Sequence, residues 1–287
     1  MDERPTSSPS SGYPLIVIGM HRSGTSLLSK LLHRAGVPMG IDRNVHDESA
    51  FFLELNKFLF RAAHADWDYP QPMLLLLEVP ELRHALLEHL RSQCSARGTR
   101  SYLGWRRSLR SSRLGSQPGP WGWKDPRNTF TLPIWLEVFP SARVLNVYRN
   151  GVDVAESLVT RERRRVARIH NAVRSCRCLD HQRAFELWTE YVTMSLRFTA
   201  GLEPERVHQV RYESFLEAPE SGLRDLAAFL GLELSDVEIQ ALTADVDPER
   251  SLAFRGDPQL VRLYRETAQH PLMQRLDYGD LSCPPAS

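Results

Sequence analysis

The stretch that decides the fold runs from residue 14 to residue 36 and reads PLIVIGMHRSGTSLLSKLLHRAG. Its first part, Pro14–Gly19, is a short apolar run ending in glycine, which is typical of a strand buried on both faces of a parallel sheet. From Leu27 to Ala35 the apolar residues recur at helical spacing, and Gly36 supplies a C-terminal stop. The sequence therefore predicts a buried strand, a glycine-rich loop and a helix in direct succession.

The loop between this strand and helix is Gly19-Met20-His21-Arg22-Ser23-Gly24-Thr25-Ser26, with the glycine spacing of a Walker A loop, G-x-x-x-x-G-K-[ST]. In such a loop the backbone curls tightly, its N–H groups point inward, and the helix N-terminus adds positive potential for a phosphate. Thr25 stands where nucleotide hydrolases carry lysine, and the nearest cation is Arg22, three residues earlier. The loop predicts a phosphate site whose cation lies inside the loop.

The alternation of strands and helices continues along the chain. Further strands are expected at Trp121–Lys124, Arg143–Tyr148 and Val207–Tyr212, and helices at 51–63, 79–93, 130–138, from Gly151, at 181–201 and at 215–230. This order predicts an α/β fold with a central parallel sheet flanked by helices. The less regular segment 40–120 is expected to be a mostly helical insertion.

Composition bounds the class of protein. The chain has 287 residues, of which 42% are hydrophobic and 25% charged, with a formal net charge of +1. These values exclude a disordered chain, a collagen-like fibre and a disulfide-stapled miniprotein, and give no basic excess that would indicate a nucleic-acid partner. We expect a disordered tail over 1–12, one domain over 13–280 and a flexible tail over 281–287.

Cysteine use and hydropathy bear on location. Four cysteines in a chain of this length are too few for a disulfide framework, so reduced thiols are expected. The polar N-terminus lacks a signal peptide, and the longest apolar runs fall short of the ~20 residues that span a bilayer. The sequence predicts a cytoplasmic protein without a membrane anchor; oligomeric state stays open.

The segment Arg22-Ser23-Gly24-Thr25-Ser26 resembles the 5′-phosphosulfate loop, [KR]-S-G-T-[ST], of sulfotransferases that use 3′-phosphoadenosine 5′-phosphosulfate (PAPS). The longer string GMHRSGTSLL resembles the bacterial branch of that family. The resemblance implies a three-layer P-loop-like fold, PAPS as co-substrate, no metal, and residues 22–26 around the 5′-phosphosulfate.

The same resemblance requires an arginine at the end of a later strand and a serine eight residues on, which together hold the 3′-phosphate. Arg149 follows the strand expected to end at Tyr148, and Ser157 stands at the required offset. A guanidinium group clamps phosphate with two parallel hydrogen bonds. Either residue alone would more simply be a strand cap or an ordinary helix serine, but two motifs agreeing in order and spacing favour a site.

Two further segments resemble the family less closely. Tyr212 lies in Val-Arg-Tyr-Glu-Ser-Phe, similar to the family's Tyr-Glu-Asp segment, which implies a place near the adenine although Ser214 replaces Asp. Arg255 and Gly256 correspond to a late loop with Arg-Lys-Gly that touches the 3′-phosphate, but the lysine is missing. Leu27 stands where the cytosolic branch has a Trp that stacks on adenine, so the stacking residue is not identified.

Sulfonyl transfer needs a base for the acceptor and cations for the developing charge. Glu48, just upstream of Phe51 and Phe52, matches the acidic base of the heparan-type branch, and Arg22 and Lys124 are the expected catalytic cations. Pro126 stands where the cytosolic branch has its catalytic His. His46, His21 and Asp125 remain rival bases, and Glu48 as a solvated helix-start residue is the plain alternative. A carboxylate is a weak base in water, and Glu48 can serve if desolvation beside the two Phe rings raises its pKa toward the working pH.

For two further clusters a non-functional interpretation is preferred. His170, Cys176, Cys178 and His181 contain zinc-ligand residue types, but C-x-C is not the usual C-x2–4-C spacing, so no metal site is expected. The basic run Arg161–Arg168, part of an arginine-rich stretch over 161–177, is favoured as a solvated helix face, with steering of an anionic acceptor as the alternative.

The preferred function is therefore transfer of a sulfonyl group from PAPS to a hydroxyl or amine of a small-molecule, glycan or peptide acceptor. A P-loop kinase is the first alternative, opposed by Thr25 and by the lack of a Walker B run. A non-catalytic nucleotide-binding module is the second, opposed by the presence of Arg22, Lys124 and Glu48.

Overall fold

The computed structural model describes residues 12–95, 99–104, 114, 119–167 and 173–283. Its sheet has four strands in the order β2-β1-β3-β4, and every neighbouring pair is parallel. All five residues of β1 are buried, as the apolar run predicts. The strands are β1 (Pro14–Ile18), β2 (Trp121–Lys124), β3 (Arg143–Tyr148) and β4 (Val207–Arg211).

Helices cover both faces of this sheet and build most of the segment that precedes β2. The described helices are α1 (Thr25–Arg34), α2 (Ala50–Ala62), α3 (Pro72–Leu77), α4 (Pro80–Gln93), α5 (Arg100–Leu103), α6 (Asn128–Val138), α7 (Gly151–Val166), α8 (His181–Thr199), α9 (Tyr212–Glu217), α10 (Pro219–Leu230), α11 (Asp236–Thr243), α12 (Pro258–Thr267) and α13 (Pro271–Arg275).

Alternating side chains of β1 divide the core into two parts. Ile16 and Ile18 pack in the larger cluster with the tryptophans of β2, α6 and α8, whereas Leu15 and Val17 pack with α1, α10 and α11. A strand whose successive side chains point to opposite faces needs a helical layer on each side. The three-layer α/β architecture is thereby confirmed.

The expected elements need correction in two respects. The helix expected over 215–230 is two helices, because Ala218, which precedes Pro219, has φ −138° and ψ 65° and a residue before proline is pushed out of the α region. Helix α3 was not expected, and neither were α11 to α13. Residues 1–11 and 284–287 of the two expected tails lie outside the described residues.

The strand order creates a crevice at the carboxyl ends of β1 and β3. The chain leaves β1 toward β2 on one side, while β3 and β4 lie on the other, and ligands of open α/β sheets bind where the order reverses in this way. The glycine-rich loop follows β1 and Arg149 follows β3, so both predicted phosphate motifs lie at this point. Among the described residues, no helix is both long and apolar enough to cross a bilayer.

Candidate active site

The loop after β1 needs its two glycines. Gly19 has φ +135°, and a Cβ there would stand 2.2 Å from the carbonyl oxygen of Val147; Gly24, at φ +93°, would place one 2.2 Å from the ring of Tyr212. The amide of Gly19 donates to Thr129 Oγ1 at 3.1 Å. The loop is thus clamped between β3, α6 and the start of α9.

One hydroxyl inside the loop, that of Ser23, is buried without a partner among the described residues. Ser23 is fully buried, and its hydroxyl has no hydrogen-bond partner in the described part of the chain. Thr25 is buried as well, and Ser26 donates its hydroxyl to the carbonyl of His46 at 2.9 Å. Because α1 begins at Thr25, the amides of Thr25 and Ser26 precede the first hydrogen bonds of the helix, in which the amides of Leu27 and Leu28 donate to the carbonyl of Gly24. A buried hydroxyl beside free helix amides is a combination that an anion satisfies.

Arg22 adopts a backbone conformation that costs free energy. Its φ is +71°, a left-handed value that disfavours residues with a Cβ and that clusters at functional sites. This geometry directs the guanidinium across the crevice, where Nε donates to Ser157 Oγ at 2.8 Å. The two motifs that the sequence places 135 residues apart are therefore in direct contact.

Arg149 reaches the same place from the end of β3. Its guanidinium lies 3.2 Å from Asp153 Oδ2, donates to the carbonyl oxygens of Arg22 at 3.4 Å and Arg250 at 3.0 Å, and sits 5.0 Å above the Tyr212 ring. Its Nε is enclosed and has no partner among the described residues.

Glu213 fixes the start of α7, which carries Ser157. This buried carboxylate accepts hydrogen bonds from the amide of Asn150 at 2.9 Å and from the Tyr278 hydroxyl at 2.6 Å. Burial raises its pKa, and the Tyr278 hydroxyl acts against that shift. The glutamate of the Tyr-Glu-Ser segment is therefore a positioning residue that sequence reasoning missed, although it stands next to the predicted Tyr212.

Two cavities open on either side of the Arg22 and Arg149 side chains. The first, which we call the loop cavity, has a volume of about 590 Å³ and is lined by residues 24–27 with Tyr212 and Arg250. The second, the arginine cavity, has about 580 Å³ and is lined by His46, Ser157 and a face of α7 that includes Arg161, Arg164 and Arg165. Arg22 and Arg149 line both.

The structure joins Glu48 to Lys124. Glu48 Oε1 lies 3.1 Å from Lys124 Nζ, and the two side chains are 10% and 2% exposed; Asn44 donates to the other carboxylate oxygen at 3.1 Å. Burial alone raises the pKa of Glu48, but Lys124 and Asn44 outweigh it and leave the pKa below its usual value. The condition of a raised pKa is therefore not met in this conformation. Neither residue is among those lining the two cavities.

Asp125 serves the scaffold. It is fully buried, lies 3.3 Å from the Arg127 guanidinium, and accepts from Asn56 Nδ2 at 3.0 Å. Asn56 also contacts Asn128, Thr131 and Trp135 through hydrogen bonds of 2.8 to 2.9 Å. Burial raises the pKa of Asp125 against the opposing effect of Arg127. This satisfied polar network ties α2 to α6 beneath the site.

The two rival histidines differ in their surroundings. His21 packs edge-on against Trp67 and Tyr191, at centroid distances of 5.0 and 6.2 Å, and its enclosed Nε2 has no partner among the described residues. Burial, followed by the nearby cations, holds the pKa of His21 well below 6.5, so the ring is neutral at pH 7. His46 is exposed and lines the arginine cavity, and burial also lowers its pKa.

The late loop that contains Arg255 and Gly256 lies only partly at the candidate site. Ala253 lines both cavities and the amide of Phe254 donates to Asp153 Oδ1 at 2.9 Å, but Arg255 and Gly256 are not lining residues of either. Arg250, five residues earlier, lines the loop cavity instead. The sequence signal for Arg250 was weak, because no motif distinguishes it from its neighbours.

The discounted cysteine–histidine cluster is not assembled in the described part of the chain. Cys178 is buried, Cys176 is exposed, and His181 Nε2 lies 2.6 Å from Glu156 Oε2. His170 lies outside the described residues, and no group of three metal-ligand side chains occurs among those that are described.

The model of the sulfotransferase family matches residues 14–236 of this sequence, which includes the glycine-rich loop, Lys124, Arg149 and Ser157. The chain belongs to the sulfotransferase family. That membership supports sulfotransfer as the activity and speaks against the kinase alternative. No curated protein matches the sequence.

Three solved structures similar to this chain are 18 or 19% identical to it in sequence. The sulfotransferase domain from the curacin biosynthetic pathway is 19% identical over 96% of this chain and 100% of its own, with a TM-score of 0.47. Sulfotransferase STF9 from Mycobacterium avium is 18% identical over 90% and 77%, with a TM-score of 0.46. A sulfotransferase from Alicyclobacillus acidocaldarius is 18% identical over 93% and 96%, also at 0.46.

Proposed function

We propose that this sulfotransferase moves the sulfonyl group of PAPS to a hydroxyl or amine of an acceptor. The observation that carries the proposal is the hydrogen bond from Arg22 to Ser157, together with the hydrogen bond that the Arg149 guanidinium donates to the carbonyl oxygen of Arg22. A 5′-phosphosulfate loop and a 3′-phosphate clamp must adjoin one another to hold a single nucleotide. Here the two sets of side chains lie within hydrogen-bond distance.

The residues present fit such a ligand. Ser23 Oγ and Arg149 Nε are enclosed donors without a partner among the described residues, and the free amides at the start of α1 add to them. Residues 22–26 would hold the 5′-phosphosulfate, Arg149 and Ser157 the 3′-phosphate, and Tyr212 the edge of the loop cavity that takes the adenosine. Arg255 and Gly256 remain expected from the family pattern, but Arg250 is the better candidate because it lines that cavity.

PAPS supplies the sulfonyl group and a phosphate leaving group; the chain supplies charge and a proton acceptor. Arg22 and Lys124 would stabilise the charge that develops on the transferred group and leaving oxygen. Glu48 would take the proton of the acceptor. Its ion pair with Lys124 keeps it ionised at neutral pH, which is the form a base requires, although the low pKa makes it a weak base. His21, which is neutral, is the rival.

Calorimetry with the desulfated co-product tests the nucleotide assignment. Adenosine 3′,5′-bisphosphate should bind much more tightly than AMP, and Arg149→Ala should remove most of the difference, about 1.5–3 kcal/mol for a charged hydrogen bond. Arg262→Ala, which removes an exposed arginine of α12, is the matched control and should keep the preference. Equal affinities for the two nucleotides in the unaltered protein would refute the 3′-phosphate site.

The proposal extends to the class of acceptor and to the location of the enzyme. We propose a small-molecule, glycan or peptide acceptor and a bacterial cytoplasmic enzyme, on the family resemblance and on four cysteines that are all free.

A further inference from the structure

The face of α7 that continues beyond Ser157 is strongly cationic. Arg161, Arg164 and Arg165 line the arginine cavity together with Arg22 and Arg149. Asp153 and Glu156 are the acidic side chains among its lining residues. Of these two, Asp153 is paired with Arg149 and Glu156 with His181. This face of α7 therefore carries more positive charge than the carboxylates that line the cavity neutralise.

Two of these arginines are held in place from behind. Glu162, which is fully buried, lies 2.9 Å from both Arg161 Nε and Arg165 Nη1, and it also accepts from the amide of Arg174 at 2.9 Å. Arg161 further stacks over the Trp67 ring at 4.6 Å. A buried carboxylate and an aromatic face fix the guanidinium groups before any ligand arrives, which lowers the entropy that binding must overcome.

This wall has hydrogen-bond donors without a partner among the described residues. Arg161 Nη2 is enclosed, yet it has no hydrogen-bond partner in the part of the chain that the structure describes. Arg164 makes no ion pair with any described residue. Burial, then Arg161, Arg149, Arg164 and Arg250 lower the pKa of Arg22, so these cations are close enough to repel one another. An anion between them would relieve that repulsion and satisfy the enclosed donor.

We infer that the acceptor of this enzyme carries an oxyanion, a phosphate, sulfate or carboxylate, which binds to Arg161, Arg164 and Arg165 in the arginine cavity. Naming the bound anion as the acceptor rests on the proposed function, whereas the anion site is argued from the contacts of the three arginines alone. Arg149 and Ser157, which would hold the 3′-phosphate of the nucleotide, also line the arginine cavity. Arg161, Arg164 and Arg165 follow Ser157 by four, seven and eight residues on α7, so the part of the wall beyond Ser157 stays available to a second anionic molecule. The wall would also draw such an acceptor from solution.

The direct test measures phosphate binding with the nucleotide site filled. Protein saturated with adenosine 3′,5′-bisphosphate is titrated with inorganic pyrophosphate by calorimetry, for the unaltered chain, Arg164→Gln and Arg163→Gln. Arg163 is an exposed arginine of the same helix that does not line the cavity, so it removes the same charge from a neighbouring position. Arg164→Gln should weaken binding by about 10-fold or more, the effect of one charged hydrogen bond, and Arg163→Gln by less than about 2-fold.

Turnover gives an independent readout. With PAPS as donor, 4-hydroxyphenyl phosphate should be sulfonated with a lower KM than 4-methoxyphenol, and Arg164→Gln should erase that preference without changing the KM for PAPS. Equal losses in the Arg163 and Arg164 variants would overturn the inference, because they would show only general attraction. Pyrophosphate binding that disappears when the nucleotide is bound would overturn it too, since the anion would then be occupying the nucleotide site.

Failure of the proposed function gives a different result. If adenosine 3′,5′-bisphosphate does not bind, the PAPS assignment is lost, while pyrophosphate titration of the nucleotide-free protein still supports or overturns the anion site through the difference between Arg164→Gln and Arg163→Gln.

Discussion

Breaking the Glu48–Lys124 ion pair from one side should destabilise the protein more than removing both charges. The side chains are 10% and 2% exposed and 3.1 Å apart, so neither charge can turn to water when its partner is removed. Lys124→Met leaves Glu48 as an uncompensated buried carboxylate, and the expected loss is about 3–5 kcal/mol of unfolding free energy. Glu48→Gln leaves Lys124 buried and keeps the acceptor for Asn44.

The double variant Glu48→Gln/Lys124→Met should recover at least about 2 kcal/mol relative to the sum of the two single losses, since neutral groups of similar volume replace the pair. Urea unfolding at pH 7 measures all four proteins. Losses that add, or a Lys124→Met variant as stable as the parent, would contradict a buried, coupled pair.

The pH dependence has a definite sign. Because the pKa of Glu48 is lowered in the folded protein, its contribution to stability is present above its unfolded pKa, near 4.5, and is lost as the pH falls through the folded value. Lys124→Met removes the main influence that lowers this pKa, and burial then raises it. The stability difference between parent and Lys124→Met should therefore narrow as the pH is lowered from 7 toward 4.5.

Turnover separates structure from catalysis in the same set of variants. If Glu48 is the base, Glu48→Gln should lose about 10²–10⁴-fold in kcat with binding of adenosine 3′,5′-bisphosphate nearly intact. The double variant should regain stability but not activity. An active Glu48→Gln beside an inactive His21→Ala or His46→Ala would assign the base to a histidine.

Two further predictions concern the loop. Arg22→Ala should lower turnover more than it weakens binding of adenosine 3′,5′-bisphosphate, because the guanidinium would act on the group that this co-product lacks; turnover close to that of the parent would leave Lys124 as the sole cation. His21→Phe, which keeps the ring contacts with Trp67 and Tyr191, should flatten the fall in stability on acidification. Between pH 6.5 and the lowered pKa of His21, the folded parent binds fewer protons than the unfolded parent, so its unfolding free energy drops by up to about 1.4 kcal/mol per pH unit for this histidine. His84→Gln, an exposed control, should leave this dependence of stability on pH unchanged. A pH dependence in His21→Phe equal to that of the parent would contradict a buried neutral ring.

Local patterns in the sequence predicted the parallel sheet and the succession of strand, glycine-rich loop and helix at 14–34 because those features depend on short stretches. Strand β3 has the expected bounds, and β1 is apolar throughout because it is covered on both faces. The single helix expected over 215–230 was wrong because one dipeptide, Ala218-Pro219, divides it into two helices. Short helices such as α3 carry too few turns for a periodic signal.

The site could be predicted only where a motif fixes the spacing. Arg149 and Ser157 are eight residues apart, and their contact with Arg22 follows from strand order. Glu48 and Lys124 are 76 residues apart, and no local pattern announces their ion pair or its effect on the pKa of Glu48. Arg250 and Glu213 act through tertiary contacts alone.

Because Arg22 and Arg149 line both cavities, we expect binding of the proposed donor to affect binding of the proposed acceptor. Arg22 is anchored to Ser157 and Arg149 to Asp153, so part of each guanidinium already has a partner. A nucleotide that takes these donors would withdraw them from α7 and alter the charge that faces the arginine cavity. Binding of the nucleotide and of an anionic acceptor should therefore be coupled, and by linkage the coupling must have the same magnitude whichever ligand is added first. Since both ligands are anions, their direct repulsion opposes joint binding, and the three arginines of α7 that line the arginine cavity would supply the attraction that offsets it.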